Sequence, residues 1–275
     1  MPQTWSAGRF QLTLSRPLVM GIVNVTPDSF SDGGQHDDAS SAIRHASALV
    51  EAGADILDIG GESTRPGSRA VDAEVEWARI GPVLLEALRW GVPISLDSYK
   101  PETMRRALDL GVDIVNDVYA LRMPGAEAIV AASQAGVCLM HMQGEPGTMQ
   151  LQPDYGDVVA EVRDFLLQRT AALLALGVPA ARLCLDPGFG FGKSLAHNIA
   201  LAQGLEALVS CGYPVLVGVS RKSMIGGTSG RPVAERLPGS LAAALACIAA
   251  GARIVRVHDV AATVDALNVW TALRG

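Results

Sequence analysis

Eight times along this 275-residue chain, a short run rich in β-branched and aliphatic residues ends at a polar side chain and gives way to a helical pattern. The runs lie at 18–25 (LVMGIVNV), 55–61 (DILDIGG), 93–98 (PISLDS), 113–118 (DIVNDV), 137–142 (VCLMHM), 182–187 (RLCLDP), 214–220 (PVLVGVS) and 253–258 (RIVRVH). They are nearly continuous in apolar residues rather than strictly alternating, which suits strands covered on both faces, as in a parallel sheet. The intervening segments at 39–53, 71–91, 102–111, 126–136, 157–177, 198–212, 240–252 and 260–275 read as helices, and most stop at a glycine. Eight strand–helix units in one chain of this length predict an α/β fold of the (β/α)8 TIM-barrel type, forming a single domain over 1–275. The alternative is an open doubly wound sheet. It would use fewer strands and a glycine-rich first turn, and NVTPDSFSDGG is not that fingerprint. Residues 5–14 are spare and predict a hairpin-like extension over the barrel's N-terminal end.

With 49% apolar and only 18% charged residues, the chain can bury a large core and is not a disordered polymer. A net charge of −6 argues against a nucleic-acid binder. No apolar run reaches the ~18 residues of a membrane span, and the N-terminus does not read as a signal peptide. Cys138, Cys184, Cys211 and Cys247 form no CxxC pair. All four sit in apolar runs and read as reduced core residues of a cytoplasmic protein.

The polar residues that close the runs carry the chemistry. In a barrel all eight C-terminal strand ends meet at one mouth, where active sites form. Asn24, the segment Glu62–Thr64–Arg65, Asp97, Asn116, His141 with Gln143, Asp186, the segment Ser220–Arg221–Lys222, and Arg256 with His258 and Asp259 stand at those ends. Asp97, Asn116 and Asp186 suit a flat, donor-rich heterocycle such as an aminopyrimidinone; the alternative is that they cap the following helices. Arg65, Arg256, His258 and Asn24 make an anion and metal environment. The neutral oxygen of Asn24 suits Mg2+ held mainly by phosphate oxygens and water. For Arg256 and His258 the alternative is a rim ion pair with Asp259. The five histidines have no zinc spacing. DPGFGFGKS (186–194) ends like a phosphate loop, but Pro187 stands where that motif needs glycine. Its glycines instead allow a bend that brings Phe189 and Phe191 toward a pocket, with one of the two in the core. SRKSMIGG (220–227) reads as a helix start able to hold an anion. The loops 26–34 and 62–70 read as lids at the mouth.

The segments MGIVNVTPDSFSDGG, DIGGESTRPG, SLDSYKP, VNDV, MHMQGEPGTMQ, LDPGFGFGK, GVSRKSMIG and RVHDV occur in this order across almost the whole chain. Together they resemble the dihydropteroate synthases. SLDSYKP departs slightly from the commoner Val-Asp-Thr wording, and GVSRK lacks a glycine that some members carry. The resemblance implies a transferase of folate biosynthesis. It would condense 6-hydroxymethyl-7,8-dihydropterin pyrophosphate with p-aminobenzoate, giving 7,8-dihydropteroate and pyrophosphate. By motif position, Asp97, Asn116, Asp186 and Lys222 would hold the pterin. Asn24 would ligate Mg2+. Thr64, Arg65, Arg256 and His258 would hold the pyrophosphate. Phe30, Pro66, Phe191, Lys222 and Ser223 would border the p-aminobenzoate and sulfonamide site. Lys222, Arg256, Asp97 and, on the first loop, Asp32 would serve catalysis. Pyrophosphate departure would leave a cation on the pterin methylene that the buried carboxylates stabilise, and the aryl amine needs no strong base. A homodimer through late helices is also implied, although 240–251 could equally be core. Two other functions fit such a barrel. A pterin-dependent methyltransferase would need a corrinoid partner and no pyrophosphate clamp. A catalytically dead binding protein would lack Asn24, Lys222 or Arg256, and all three are present.

Overall fold

The structure, a computed structural model, describes residues 4–26, 35–63, 70–145 and 147–274. A hairpin of β1 (Thr4–Ala7) and β2 (Phe10–Thr13) precedes eight parallel strands. These are β3 (Leu18–Asn24), β4 (Ile56–Gly60), β5 (Ile94–Asp97), β6 (Ile114–Asp117), β7 (Gly136–Met140), β8 (Leu183–Asp186), β9 (Leu216–Val217) and β10 (Ile254–Val257). Their order is β8-β7-β6-β5-β4-β3-β10-β9, and a parallel bridge between Leu185 and Val215 joins the two ends. The barrel fold and its hairpin extension are therefore as expected. The helices around it are α1 (Gln35–Glu51), α2 (Ala73–Ala87), α3 (Pro101–Leu110), α4 (Ala126–Ala131), α5 (Val158–Ala175), α6 (Leu195–Gln203), α7 (Glu206–Val209), α8 (Ser223–Ser229), α9 (Leu237–Ala249) and α10 (Val260–Arg274).

Two elements differ from the sequence reading. The strand expected over 214–220 shrinks to the two residues of β9, because Pro214 has no N–H to give and the chain turns through Arg221 at a positive φ of 58°. The single helix expected over 198–212 breaks into α6 and α7 at Gly204. A Cβ there would lie 2.7 Å from the Val159 side chain, so close packing against α5 decides the break.

Alternation along each strand sorts the core into two clusters. Leu57, Val115, Leu185, Val217 and Val255 point outward and pack under the helices. Met20, Ile56, Ile114, Cys138, Cys184, Leu216 and Ile254 point inward and fill the lower barrel. The hairpin closes that end. Trp5 is fully buried in the inner cluster, and its indole N–H donates to the Arg182 carbonyl at 2.9 Å. Cys138, Cys184 and Cys247 are buried as expected; Cys211 is only half-buried. Among the described residues no helix is long and apolar enough to cross a membrane.

Candidate active site

Two residues beyond the inward apolar layer, several of the same strand faces turn polar. Ile56 is followed inward by Asp58, Ile114 by Asn116, Cys184 by Asp186 and Ile254 by Arg256, while Leu216 is followed by the bare Gly218 and Met20 and Cys138 by the apolar Ile22 and Met140. Asp97 occupies the matching level on β5, directly beside Asn116 in register. A polar floor thus lies on an apolar plug, at the C-terminal end of the barrel. Glycine makes room for it: a Cβ on Gly60 would lie 3.1 Å from the Asp97 Cβ.

The floor is a web of charge. Arg256 donates from Nε to Asp58 at 2.5 Å and from Nη2 to Asp97 at 2.6 Å. Asn116 donates from Nδ2 to the same Asp58 oxygen at 3.1 Å. Burial pushes the Asp97 carboxyl up to about 7, against the pull of Arg256. Burial also raises Asp186, partly offset by Lys222. It lowers the Lys222 ammonium to about 8 against the pull of Asp186. For Arg256 burial opposes the charge, but Asp58 and Asp97 outweigh it and the pKa rises. Three carboxylates against two cations make a floor with a surplus of acceptors, suited to a ring edge that carries several N–H donors.

The helix-cap alternative fails for the trio. The residues at the cap positions of α3, α4 and α6 are Lys100, Gly125 and Ser194. Asp186 does accept from the Gly188 amide at 2.7 Å, which leaves its other oxygen for the pocket. The rim ion pair with Asp259 also goes elsewhere: Asp259 pairs with Arg221, and Arg256 turns inward. His258 sits beside Ser220, with its backbone N–H donating to Ser220 Oγ at 3.2 Å and Nδ1 at 3.1 Å from the same oxygen.

Lys222 lies over the Phe191 ring, 4.7 Å from its centroid, and its ammonium donates to the Phe189 carbonyl. Phe189 itself is core, while Phe191 joins Met140, Met142, Met149 and Val118 on one pocket wall. Ser223 is exposed as the first residue of α8. Lys193 of the GKS sequence turns away from the mouth. Its buried ammonium is held by the carbonyls of Gly188 and Phe191, each at 3.0 Å, and by His141 Nδ1 at 2.9 Å. It therefore ties the glycine-rich loop to β7 and is unavailable to a phosphate. Gly188 makes that loop possible, since at φ 67° a Cβ would lie 1.9 Å from the His141 carbonyl oxygen.

Asn24 ends β3 half-buried, with no side-chain partner among the described residues. Among those residues no three His, Cys, Asp or Glu side chains gather to hold a metal. The donor set there fits an ion that takes most of its oxygens from a ligand and water. Phe30, Asp32, Thr64, Arg65 and Pro66 lie outside the described residues. Of the second loop, only its ends are described: Glu62 accepts from the Tyr99 hydroxyl at 2.9 Å and from the Val71 amide at 3.1 Å, and it pairs with Lys100.

Sequence reasoning missed Asp58. It looked to strand ends, and Asp58 stands in mid-strand. The available signal was the repeated apolar–x–polar step on the inner face, which Ile56–Asp58 shares with Ile114–Asn116 and Ile254–Arg256.

Comparison with known proteins agrees with this geometry. The family model for pterin binding enzymes matches residues 20–258. A dihydropteroate synthase of Neisseria meningitidis serogroup B is 56% identical over 98% of this chain and 97% of its own length. A Xanthomonas albilineans dihydropteroate synthase solved with 4-aminobenzoic acid superposes with a TM-score of 0.94 at 50% identity, covering 100% of this chain and 99% of that one. A Burkholderia cenocepacia dihydropteroate synthase complexed with 7,8-dihydropteroate gives a TM-score of 0.91 at 50% identity, covering 99% and 97%.

Proposed function

Since this chain belongs to the dihydropteroate synthase family of pterin-binding enzymes, we propose that its polar floor and mouth divide the family's reaction among the residues that follow. The enzyme condenses 6-hydroxymethyl-7,8-dihydropterin pyrophosphate with p-aminobenzoate to give 7,8-dihydropteroate and pyrophosphate. The observation that carries the division of roles is the floor itself: Asp97, Asn116 and Asp186 converge as acceptors, with Arg256 and Lys222 as their counter-charges.

Asp97, Asn116 and Asp186 bind the pterin through its ring N–H and amino donors, and Lys222 faces its carbonyl side. Thr64, Arg65, Arg256 and His258 take the pyrophosphate, whose charge grows as the C–O bond to the pterin methylene breaks. The electron deficit left on the methylene spreads into the ring, where the carboxylates below stabilise it, with Asp32 assisting from the first loop. The aryl amine nitrogen attacks that carbon and then releases its proton to solvent, so the site needs no strong base. Phe30, Pro66, Phe191, Lys222 and Ser223 border the aminobenzoate. Mg2+, held by Asn24 and the pyrophosphate oxygens, would supply charge neutralisation on the leaving group.

A cytoplasmic homodimer completes the reading, with the whole chain acting as one pterin-binding domain. α9 buries Ser240, Ala244, Cys247 and Ile248 but leaves Ala242, Ala246 and Ala249 exposed, and Val269 and Leu273 of α10 are exposed as well. That small, apolar face supports pairing through the late helices.

The test is pyrophosphate release from purified protein with both substrates and Mg2+. Release should require both substrates and should stop in excess chelator. Pterin binding without release would identify a synthase-like binding protein instead. Full activity in chelator would remove the metal from the reading.

A further inference from the structure

Asp58 is fully buried, so it meets no ligand directly, yet its bonds to side chains go only to residues that face the pocket. An ionised carboxylate inside a barrel is costly unless specific partners compensate it. Here one oxygen takes both Arg256 Nε, at 2.5 Å, and Asn116 Nδ2, at 3.1 Å, while Oδ1 has no partner among the described residues. The chemistry of that contact is decisive for Asn116. A carboxylate accepts and cannot donate, so only the NH2 side of the amide can face Asp58. The amide oxygen must then face the pocket as an acceptor. Arg256 is constrained in the same way. Its Nε is committed to Asp58 and one Nη2 hydrogen to Asp97, which leaves the Nη1 edge without a partner among the described residues.

We propose that Asp58 is the positioning residue of the pterin pocket: it locks the Asn116 amide in the acceptor orientation and holds Arg256 edge-on, so that a donor-rich ring is recognised and an acceptor-rich one is rejected. The inference rests on the pterin-binding reading above. It adds a residue that acts through two others and never touches the ring. Without Asp58, the Asn116 amide is free to flip, and Arg256 is free to swing wholly onto Asp97.

A double-mutant cycle on pterin affinity tests this. Calorimetry with 6-hydroxymethylpterin is run on the unaltered protein, Asp58→Leu, Asn116→Ala and the double variant. Asp58→Leu should weaken binding by about 30-fold, the scale of losing one or two charge-assisted contacts. Asn116→Ala should weaken it comparably on its own but by only about threefold or less in the Asp58→Leu background, because an unlocked amide has little left to lose. Asp58→Asn keeps the shape but can donate as well as accept, so it no longer fixes the Asn116 amide and should recover only a small part of the affinity. A purely structural role for Asp58 would give independent, multiplying losses and no such coupling, and that result overturns the proposal, as does unchanged affinity in Asp58→Leu. If Asp58→Leu does not fold, the same cycle with Asp58→Glu, which displaces the carboxylate by one methylene, decides by the same criterion. Failure of the unaltered protein to bind 6-hydroxymethylpterin would instead strike the pterin reading itself, so the two failures remain distinct.

Discussion

Binding of a pterin analogue should be strongly pH-dependent between pH 5 and 9, with Asp97 setting the acid limb. Burial pushes the Asp97 carboxyl up to about 7, so in the empty pocket it is about half protonated at neutral pH. A ring N–H donor needs the ionised form, and observed affinity scales with the fraction of protein in the competent state. That fraction falls from about 0.9 at pH 8 to about 0.1 at pH 6 and 0.01 at pH 5, so affinity should drop about tenfold and then about tenfold again. Lys222, lowered to about 8 by burial, sets the other limb: above that pH the cation that balances Asp186 fades, and affinity should decline. The profile is then a bell centred between 7 and 8. The same shift bears on folding with the opposite consequence. A carboxyl whose folded pKa is raised keeps a proton that the unfolded chain has already released, so the empty protein loses stability as pH rises from about 4 to 7, by at most about 4 kcal/mol for a shift of roughly three units. Asp117, also pushed up to about 7 by burial, shares that window, but it accepts from the Tyr119 and Leu121 amides and not from the pocket side chains. Ligand binding therefore separates the pocket carboxyls, Asp97 and the also raised Asp186, from Asp117, where thermal stability does not. Calorimetry in two buffers of different ionisation enthalpy should find about half a proton released on binding at pH 7, and Asp97→Asn should abolish the acid limb. Affinity that is flat from pH 5.5 to 7.5, with no proton release, would refute the reasoning.

Asp186→Ala should cost about 2–4 kcal/mol of pterin affinity by leaving buried ring donors unpaired; unchanged affinity in calorimetry would reduce Asp186 to the cap of the Gly188 turn. Trp5→Ala opens the plugged end of the barrel and should cost about 3–5 kcal/mol of stability while kcat holds within about twofold, since an apolar layer separates Trp5 from the site; a melting temperature that does not move would contradict the plug. Lys193→Met removes the ammonium that ties the glycine-rich loop to β7. It should lower the melting temperature and weaken pterin binding through the Phe189 carbonyl that Lys222 uses, and an unperturbed variant would show the tie to be idle. Pyrophosphate with Mg2+ should raise the affinity for a labelled sulfonamide by about tenfold, or roughly 1.4 kcal/mol, as the first site helps to build the second; equal titrations with and without them would mean a preformed pocket.

Most of the architecture was legible in one dimension because its causes are local. A strand buried on both faces must be a short apolar run, a helix stops where glycine allows it, and eight alternations of the two leave a barrel as the compact solution. The mouth residues were legible for a related reason: a charge at the end of an apolar run is costly without a purpose, so Asp97, Asn116, Asp186 and Arg256 stand out. The apolar–x–polar step even marks which strand face turns from plug to floor. Pairings across the barrel are another matter. Arg256 reaches Asp58 from 198 positions away, and nothing in either local sequence prefers that carboxylate to the adjacent Asp259. The choice follows from barrel closure through Leu185 and Val215, which brings the inward-facing Arg256 within reach of Asp58 and Asp97 and leaves Asp259 to Arg221. Lys193 is a partial case. Pro187 already rules out a phosphate loop in the sequence, but only the fold shows where the ammonium goes instead, as left-handed turns at Gly188, Gly190 and Gly192 bring the loop's carbonyls and His141 around it. Where a side chain points along a strand is settled by the two-residue period of the backbone; which distant partner it meets is settled only when the sheet closes and burial forces every remaining charge to find a counter-charge within reach.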